Sequence, residues 1–250
     1  MSPTTTPPAS KEPLNLADAD GQFRRKASQF RKWISAALGA RSPPKPNRSV
    51  LYIGWSCRWA HRPNIVRSLK GLEGVIQLVP LAGRLCPNGP LLWGEDAEEA
   101  TVEPLYGFTH LRQLYERADS SYSRRATVPV LWDRKNETIG SNESAEIIRM
   151  FYTEFDALLP PEVREERRPL LLAELRTQID ELNEWVYHEI DNGVYKAGFA
   201  TTQEAYDANV ELLFESLDRM ERVLAEGQGP LIFGTHLTEA DIRLFTTIMW

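Results

Sequence analysis

Thiols are scarce in this chain of 250 residues: it has two cysteines, Cys57 and Cys86. Two thiols make neither a disulfide framework nor a four-cysteine zinc site, which points to a reducing compartment. There is no run of about 18 apolar residues, and no basic segment leads into an apolar one at the start, so neither a membrane span nor a secretory signal is predicted. Positive charge is short as well. Lys and Arg total 29 against 35 Asp and Glu, for a net charge of −6 and a pI near 5.4. Nucleic-acid binding normally needs a basic face, so that class is disfavoured, and the basic clusters Arg24-Arg25-Lys26 and Arg164–Arg168 read as solvated faces. The expectation is a cytoplasmic protein with no metal site and no nucleic-acid or membrane partner.

What the chain does have is apolar content, 42% of residues, enough for one large or two medium domains. Its most informative stretch is Leu51–Leu72. Val50–Gly54 reads as a buried strand and Trp55-Ser56-Cys57 as a turn. Ile65, Val66, Leu69 and Leu72 then fall on one face of a helix ended by Gly71, with Arg62, Arg67 and Lys70 elsewhere on the wheel. Pro63, past the first turn, places the start of regular helix nearer Ala60 than Arg58. Cys57 therefore stands at a strand-to-helix junction. There, free N–H groups and the helix macrodipole favour thiolate, with Arg58, His61 and Arg62 adding to the field. Such sites bring a thiol from about 8.5 to between roughly 3.5 and 7.5. The alternative is a small buried hydrophobe. His61 reads as a hydrogen-bonding residue of the helix face, and Cys86 as a spare thiol.

The rest of the chain supplies a frame. Met1–Pro13 is Pro/Ser/Thr-rich and expected to be disordered, and Asp20–Leu38 carries Phe23, Phe30, Trp33 and Ile34 as an irregular arm. Val75–Pro80 is a second strand, which completes a βαβ unit. After an insertion over 81–123 come strand Thr127–Asp133, a tight turn, and strand Glu137–Gly140. A helix follows with Ser141 or Asn142 as its cap. The order β-α-β, insertion, β-β-α is thioredoxin-like. Beyond Pro160-Pro161 the pattern is wholly helical: Val163–Asn192, then Thr202–Glu226 closed by Gly227, then a helix from 239 on. Thr201–Glu204 and Thr238–Asp241 read as capping boxes. The division is an N-terminal tail and arm (1–45), a thioredoxin-like domain (46–155) and an all-helical, apparently truncated domain (162–250).

These features together resemble a cytosolic glutathione transferase, an α/β thioredoxin-like domain followed by an all-α domain. More narrowly, the chain resembles the cysteine-type glutathionyl-hydroquinone reductases, or xi class. The strings that carry the likeness are Cys57-Arg58-Trp59-Ala60-His61-Arg62 (C-P-W-A-H-R in the family), Leu69–Glu73, Thr127–Asp133, Asn142-Glu143-Ser144 with Glu146–Met150, Asn192–Ala200 and Leu237–Arg243. The resemblance implies that Cys57 is the nucleophile and that glutathione is co-substrate. Val128, before a cis-Pro129, would pair with the cysteinyl backbone of glutathione, while Glu143 and Ser144 hold its γ-glutamyl end. Trp93 and Arg125 would reach it from the insertion. Tyr195 would face an acceptor pocket for a glutathionylated quinol or other aromatic, and the protein would be a homodimer. Trp185 and Tyr187 read as core or pocket wall. The alternatives are an omega-like thioltransferase or dehydroascorbate reductase, and a non-catalytic carrier of glutathione or a hydrophobic ligand.

Overall fold

The computed structural model describes residues 16–81 and 103–249; Cys86, Trp93, Trp250 and the Met1–Pro13 tail lie outside them. Four strands form a mixed sheet: β1 (Ser49–Gly54), β2 (Gln77–Leu81), β3 (Val130–Asp133) and β4 (Thr138–Ser141), in the order β2-β1-β3-β4. β1 runs parallel to β2, with Tyr52 opposite Val79, and antiparallel to β3, with Leu51 opposite Leu131. A crossover joins parallel neighbours while a hairpin joins antiparallel ones, as the strand-helix-strand and strand-turn-strand spacing requires. β1, β3 and β4 are buried throughout.

Helix α1 (Arg58–Leu69) bridges β1 and β2. It begins at Arg58, not nearer Ala60: Pro63 is accommodated within it, buried, and the helix continues past the carbonyl that the ring leaves unpaired. Nor is it amphipathic in the way its sequence suggests. Arg62, Arg67 and Lys70 are buried while Leu69 is exposed, because α1 is wedged between the sheet, a helix of the same domain and the helical domain. Its basic groups find protein acceptors instead of water. Arg67 donates to the carbonyls of Ile76 and Glu73, and Lys70 to the Glu165 carboxylate and the carbonyls of Val163 and Arg168.

Within the insertion lies α2 (Leu111–Ala118), whose start is closed by a His110/Gln113 capping box. α3 (Ser144–Thr153) is capped by Glu143, not by Ser141 or Asn142: the Glu143 carboxylate accepts from the Ala145 N–H at 3.4 Å. The expected helix over Val163–Asn192 is several pieces, since Pro169 cannot continue a hydrogen-bonded ladder. They are short 3₁₀ turns, α4 (Arg176–Trp185), a π-helical turn over Val186–Asp191, and α5 (Gly193–Gly198). α6 (Gln203–Glu226) is capped by Thr202, which accepts from the Ala205 N–H; Glu204 takes no part as a box partner. One core lies around the sheet, α1, α2 and α3; a second, around Ile179, Ile190, Leu213 and Leu244, lies among the C-terminal helices.

The arm before β1 is built into both halves. Phe30 and Ile34 enter the first core, and the backbone around Arg31 pairs with β4 like a rudimentary fifth strand. Gly21 has φ 80° and passes so close to Thr202 that any Cβ would stand 2.7 Å from that side chain. Only glycine allows this turn and approach together.

The last helix, α7 (Glu239–Ile248), opens on the predicted Thr238–Asp241 box. Asp241 accepts from the Thr238 N–H and hydroxyl and, with its other oxygen, from the Ile232 N–H at 2.9 Å. Asp241→Ala leaves buried donors unpaired and is expected to cost about 2 kcal/mol, read as a lower urea midpoint at unchanged slope.

Candidate active site

Cys57 is the N-cap residue of α1, with extended backbone (φ −106°, ψ 106°) that turns the chain from strand into helix. It is half-buried, and its Sγ lies 3.6 Å from the Val128 carbonyl oxygen. The Val128–Pro129 peptide bond is cis, and Val128 lies just before the paired residues of β3. Burial pushes the Cys57 thiol above its ordinary value, which reverses the lowering expected from its place at a helix start. The N–H groups of Ala60 and Trp59 and the guanidiniums of Arg25 and Arg58 oppose that displacement without overcoming it. His61 is exposed, and Arg62 is tied up elsewhere, so neither supplies the field that the sequence suggested.

Tyr195, on α5, faces the thiol from the helical domain. Burial raises its phenol, and the neighbouring Cys57 charge adds to the rise. Its ring packs against Phe23 (5.7 Å between centroids), Trp59 (6.1 Å) and Phe199 (5.7 Å), and Arg58 sits 4.9 Å above it. Tyr187 makes an edge contact with Trp59 at 5.8 Å, as part of the pocket wall. Trp185 stacks under Arg219 instead.

On the sheet side, Glu143 and Ser144 open α3. Glu143 accepts from the Ser28 hydroxyl of the arm at 3.0 Å. Ser144 is 2% exposed, and its hydroxyl has no partner among the described residues. A buried, unpartnered hydroxyl beside a carboxylate at a helix N-terminus suits a ligand end that carries both an ammonium and a carboxylate. Arg125 approaches from the other side, where burial and the nearby Arg25 charge lower its basicity. Trp93 lies outside the described residues. The structure thus brings Cys57, Val128, Pro129 and Tyr195 together, and places Glu143, Ser144 and Arg125 on segments around them.

Several contributors were not read from the sequence. Tyr115, on α2, is fully buried, and its hydroxyl is pushed up to about 12 by that burial. It donates to the Thr127 carbonyl at 2.7 Å and accepts from Asn142 Nδ2 at 3.1 Å. One hydroxyl therefore ties the segment leading to Val128 to the segment leading to Glu143. Arg24-Arg25-Lys26 is exposed, as expected of a solvated face, and Arg24 pairs with Asp18 and Asp20, but Arg25 also lies against Trp59, Tyr195 and Asn192. No periodicity marks these residues, because each is an isolated polar group whose partner is distant in sequence. Among the described residues there is no cluster of three or more side chains able to hold a metal. Tyr115→Phe should strand the Thr127 carbonyl and the Asn142 amide, lowering unfolding free energy by about 1–3 kcal/mol in a urea titration.

Comparison with known proteins agrees with this geometry. Residues 56–154 match the model for the glutathione S-transferase N-terminal domain and residues 203–250 that for its C-terminal domain. The chain is 51% identical over 233 residues to glutathione S-transferase omega-like 2 of Schizosaccharomyces pombe, covering 92% of this chain and 72% of that protein. It is 49% identical over 243 residues to the glutathionyl-hydroquinone reductase YqjG of Escherichia coli, covering 92% and 69%. The glutathione-bound structure of YqjG superposes with a TM-score of 0.79 at 45% identity, over 92% of this chain and 73% of that one. The crystal structure of the glutathione S-transferase Xi from Phanerochaete chrysosporium does so with a TM-score of 0.85 at 45% identity, over 92% and 72%. The chain belongs to the glutathione transferase family, on its xi-class, glutathionyl-hydroquinone reductase branch.

Proposed function

We propose that this protein is a glutathione-dependent reductase that removes glutathione from glutathionyl-hydroquinones through a mixed disulfide on Cys57. The observation that carries the reading is the meeting, in one pocket, of the α1 cap thiol, the Val128 backbone and the Tyr195 ring. The Cys57 thiolate attacks the sulfur of the glutathionyl group. A sulfur–sulfur bond forms, the bond from sulfur to the ring breaks, and its electron pair stays on the ring carbon, which takes a proton to give the hydroquinone. Tyr195 is placed to assist that proton. A second glutathione thiolate then attacks the mixed disulfide, releasing oxidised glutathione and restoring Cys57. No second cysteine occurs close in sequence, so glutathione serves as the resolving thiol.

In this reading, glutathione extends across the start of the sheet domain. Val128 pairs with its cysteinyl backbone, Glu143 takes the γ-glutamyl ammonium, and the Ser144 hydroxyl with the free N–H groups of α3 takes the carboxylate. Arg125 and Trp93 complete the site from the insertion. The same thiol acting on other acceptors would be an omega-like thioltransferase; turnover of glutathionyl-menadione against a small mixed disulfide separates the two. The upward displacement of Cys57 favours a second reading, a carrier that binds glutathione without turnover.

Incubation with oxidised glutathione should add about 305 Da to the peptide containing Cys57, and Cys57→Ser should abolish both adduct and turnover. A wild-type protein that takes up no adduct and shows no turnover decides for the carrier, whereas a serine variant at full rate overturns the mixed-disulfide mechanism on Cys57. Because the resting thiol is raised, the thiolate fraction grows with pH, so turnover of the reductase is expected to climb about tenfold per unit between pH 6 and 8 instead of levelling. Ser144→Ala removes a hydroxyl with no partner among the described residues, so stability should hold. KM for glutathione should rise about fivefold, the loss of one ligand hydrogen bond of about 1 kcal/mol.

A further inference from the structure

Arg25 belongs to neither half of the fold, yet its guanidinium sits where the halves meet. It lies 4.5 Å from the Trp59 ring centroid and 4.4 Å from that of Tyr195, over the seam where these two rings, 6.1 Å apart, pack on each other, so it touches both an α1 residue and an α5 residue. Its Nε donates to Asn192 Oδ1 at 2.5 Å, and Asn192, 5% exposed, is itself fixed by donating from Nδ2 to the Tyr187 carbonyl. Although exposed, an arginine held at three points by two aromatic faces and an amide keeps few rotamers.

The arm that delivers it is anchored on both sides. Before Arg25, the Gly21 carbonyl accepts from the Thr201 N–H, Gln22 bonds Asn209, and Phe23 stacks on Tyr195. After it, Arg124 donates to the Ala27 carbonyl and Ser28 to Glu143. We propose that Arg25 is a positioning residue of the reaction: it fixes the Tyr195 ring against Trp59 and holds a permanent positive charge over the pocket that contains the Cys57 sulfur.

The groups facing that sulfur are few. Arg25 comes from the arm, Arg58 and two backbone N–H groups from α1, and the Tyr195 phenol from α5, while Arg125 faces Arg25 from the insertion. Burial acts against the thiolate, and the two arginines act for it. Arg58 adjoins the cysteine and is set by the helix; Arg25 arrives only because the arm is docked. Its outer side is open to solvent, so its field is screened and its effect moderate.

The inference rests on Cys57 being the reactive thiol, and its test is independent of the acceptor. Second-order rates of iodoacetamide alkylation of Cys57 are measured from pH 6 to 10 for wild type, Arg25→Gln and Arg25→Lys, with thermal unfolding as the folding control. Loss of the charge raises the thiol further. Arg25→Gln should therefore react about threefold more slowly at pH 7.5 and converge on wild type toward pH 10. Arg25→Lys should recover at least half of the loss, and 1 M salt should narrow the gap. Identical profiles for Arg25→Gln and wild type overturn the proposal. So does a slowing that persists unchanged at pH 10 and is shared by Arg25→Lys, since that marks a change of shape and not of charge. Absence of the glutathione adduct in the wild type would defeat the proposed function instead, leaving this comparison unaffected.

Discussion

The ion pair between Arg62 and Asp191, with Nη2 and Oδ2 2.7 Å apart, is the constraint on which the geometry of the site depends. Both side chains are out of water, 1% and 0% exposed. Neither charge is tolerable there alone: taking one partner from a buried pair typically costs about 3–5 kcal/mol. The pair carries further commitments. Arg62 also donates to the Arg243 carbonyl and the Thr246 hydroxyl of α7, and Asp191 accepts from the Thr247 hydroxyl. Arg62 is on the helix that Cys57 caps, while Asp191 immediately precedes Asn192 and lies four residues before Tyr195. The pairing therefore fixes the distance between the thiol and the far wall of its pocket. It does so through two charges that are both out of water, which suits a role in specifying geometry more than in adding stability.

A second buried carboxylate repeats the arrangement one layer deeper. Glu239, at the first position of α7, accepts from both Nε and Nη2 of Arg149 on α3, from the Tyr152 hydroxyl, and from Asn183 on α4. Its helix start is itself held by the Thr238–Asp241 box. The sheet domain and the helical domain thus meet across paired charges and hydrogen bonds as well as apolar contact, and α1 is enclosed between them. That enclosure is what buries Cys57, and so what lifts its thiol.

How much of this the sequence disclosed follows from the range over which each feature is decided. The strands and their order were legible because buried runs such as Val50–Gly54 and the hairpin turn before Thr138 are local signals. The Thr238–Asp241 box was legible for the same reason: both partners lie within one turn. The cap of α3 was misplaced by one or two residues because Ser141, Asn142 and Glu143 can all cap a helix, and only the path of the arm past Asn142 and Ser28 selects Glu143. The wheel of α1 misled because a helical wheel assumes one wet face. Arg62, Arg67 and Lys70 look solvated until acceptors from distant segments are brought to them. Cys57 could be singled out from its place after the first strand, but Val128, Pro129, Glu143, Ser144 and Tyr195 could be named only through the likeness of short strings to a family, since each alone has a structural explanation.

The state of the thiol shows why motif and environment must be weighed separately. A helix start lowers a cysteine by an interaction of fixed dipoles with charge, an effect of about one turn's reach, whereas desolvation acts on every direction from which water is excluded. At Cys57 the first is present: the N–H groups of Trp59 and Ala60 act to lower the thiol, although the sulfur makes no capping hydrogen bond to the helix. The second is larger because Trp59, Tyr195 and the Val128 segment close around it. On the proposed mechanism, excluding water around the sulfur works against the thiolate that would react there. The compensating charges then have to come from side chains able to enter without bringing water. Arginines layered on aromatic rings meet that requirement, since a guanidinium is weakly hydrated and its faces pack as apolar surfaces do. Arg58 over Tyr195 and Arg25 over the seam of Trp59 and Tyr195 are both of this kind, so the aromatic rings that desolvate the sulfur also seat the charges that oppose the desolvation.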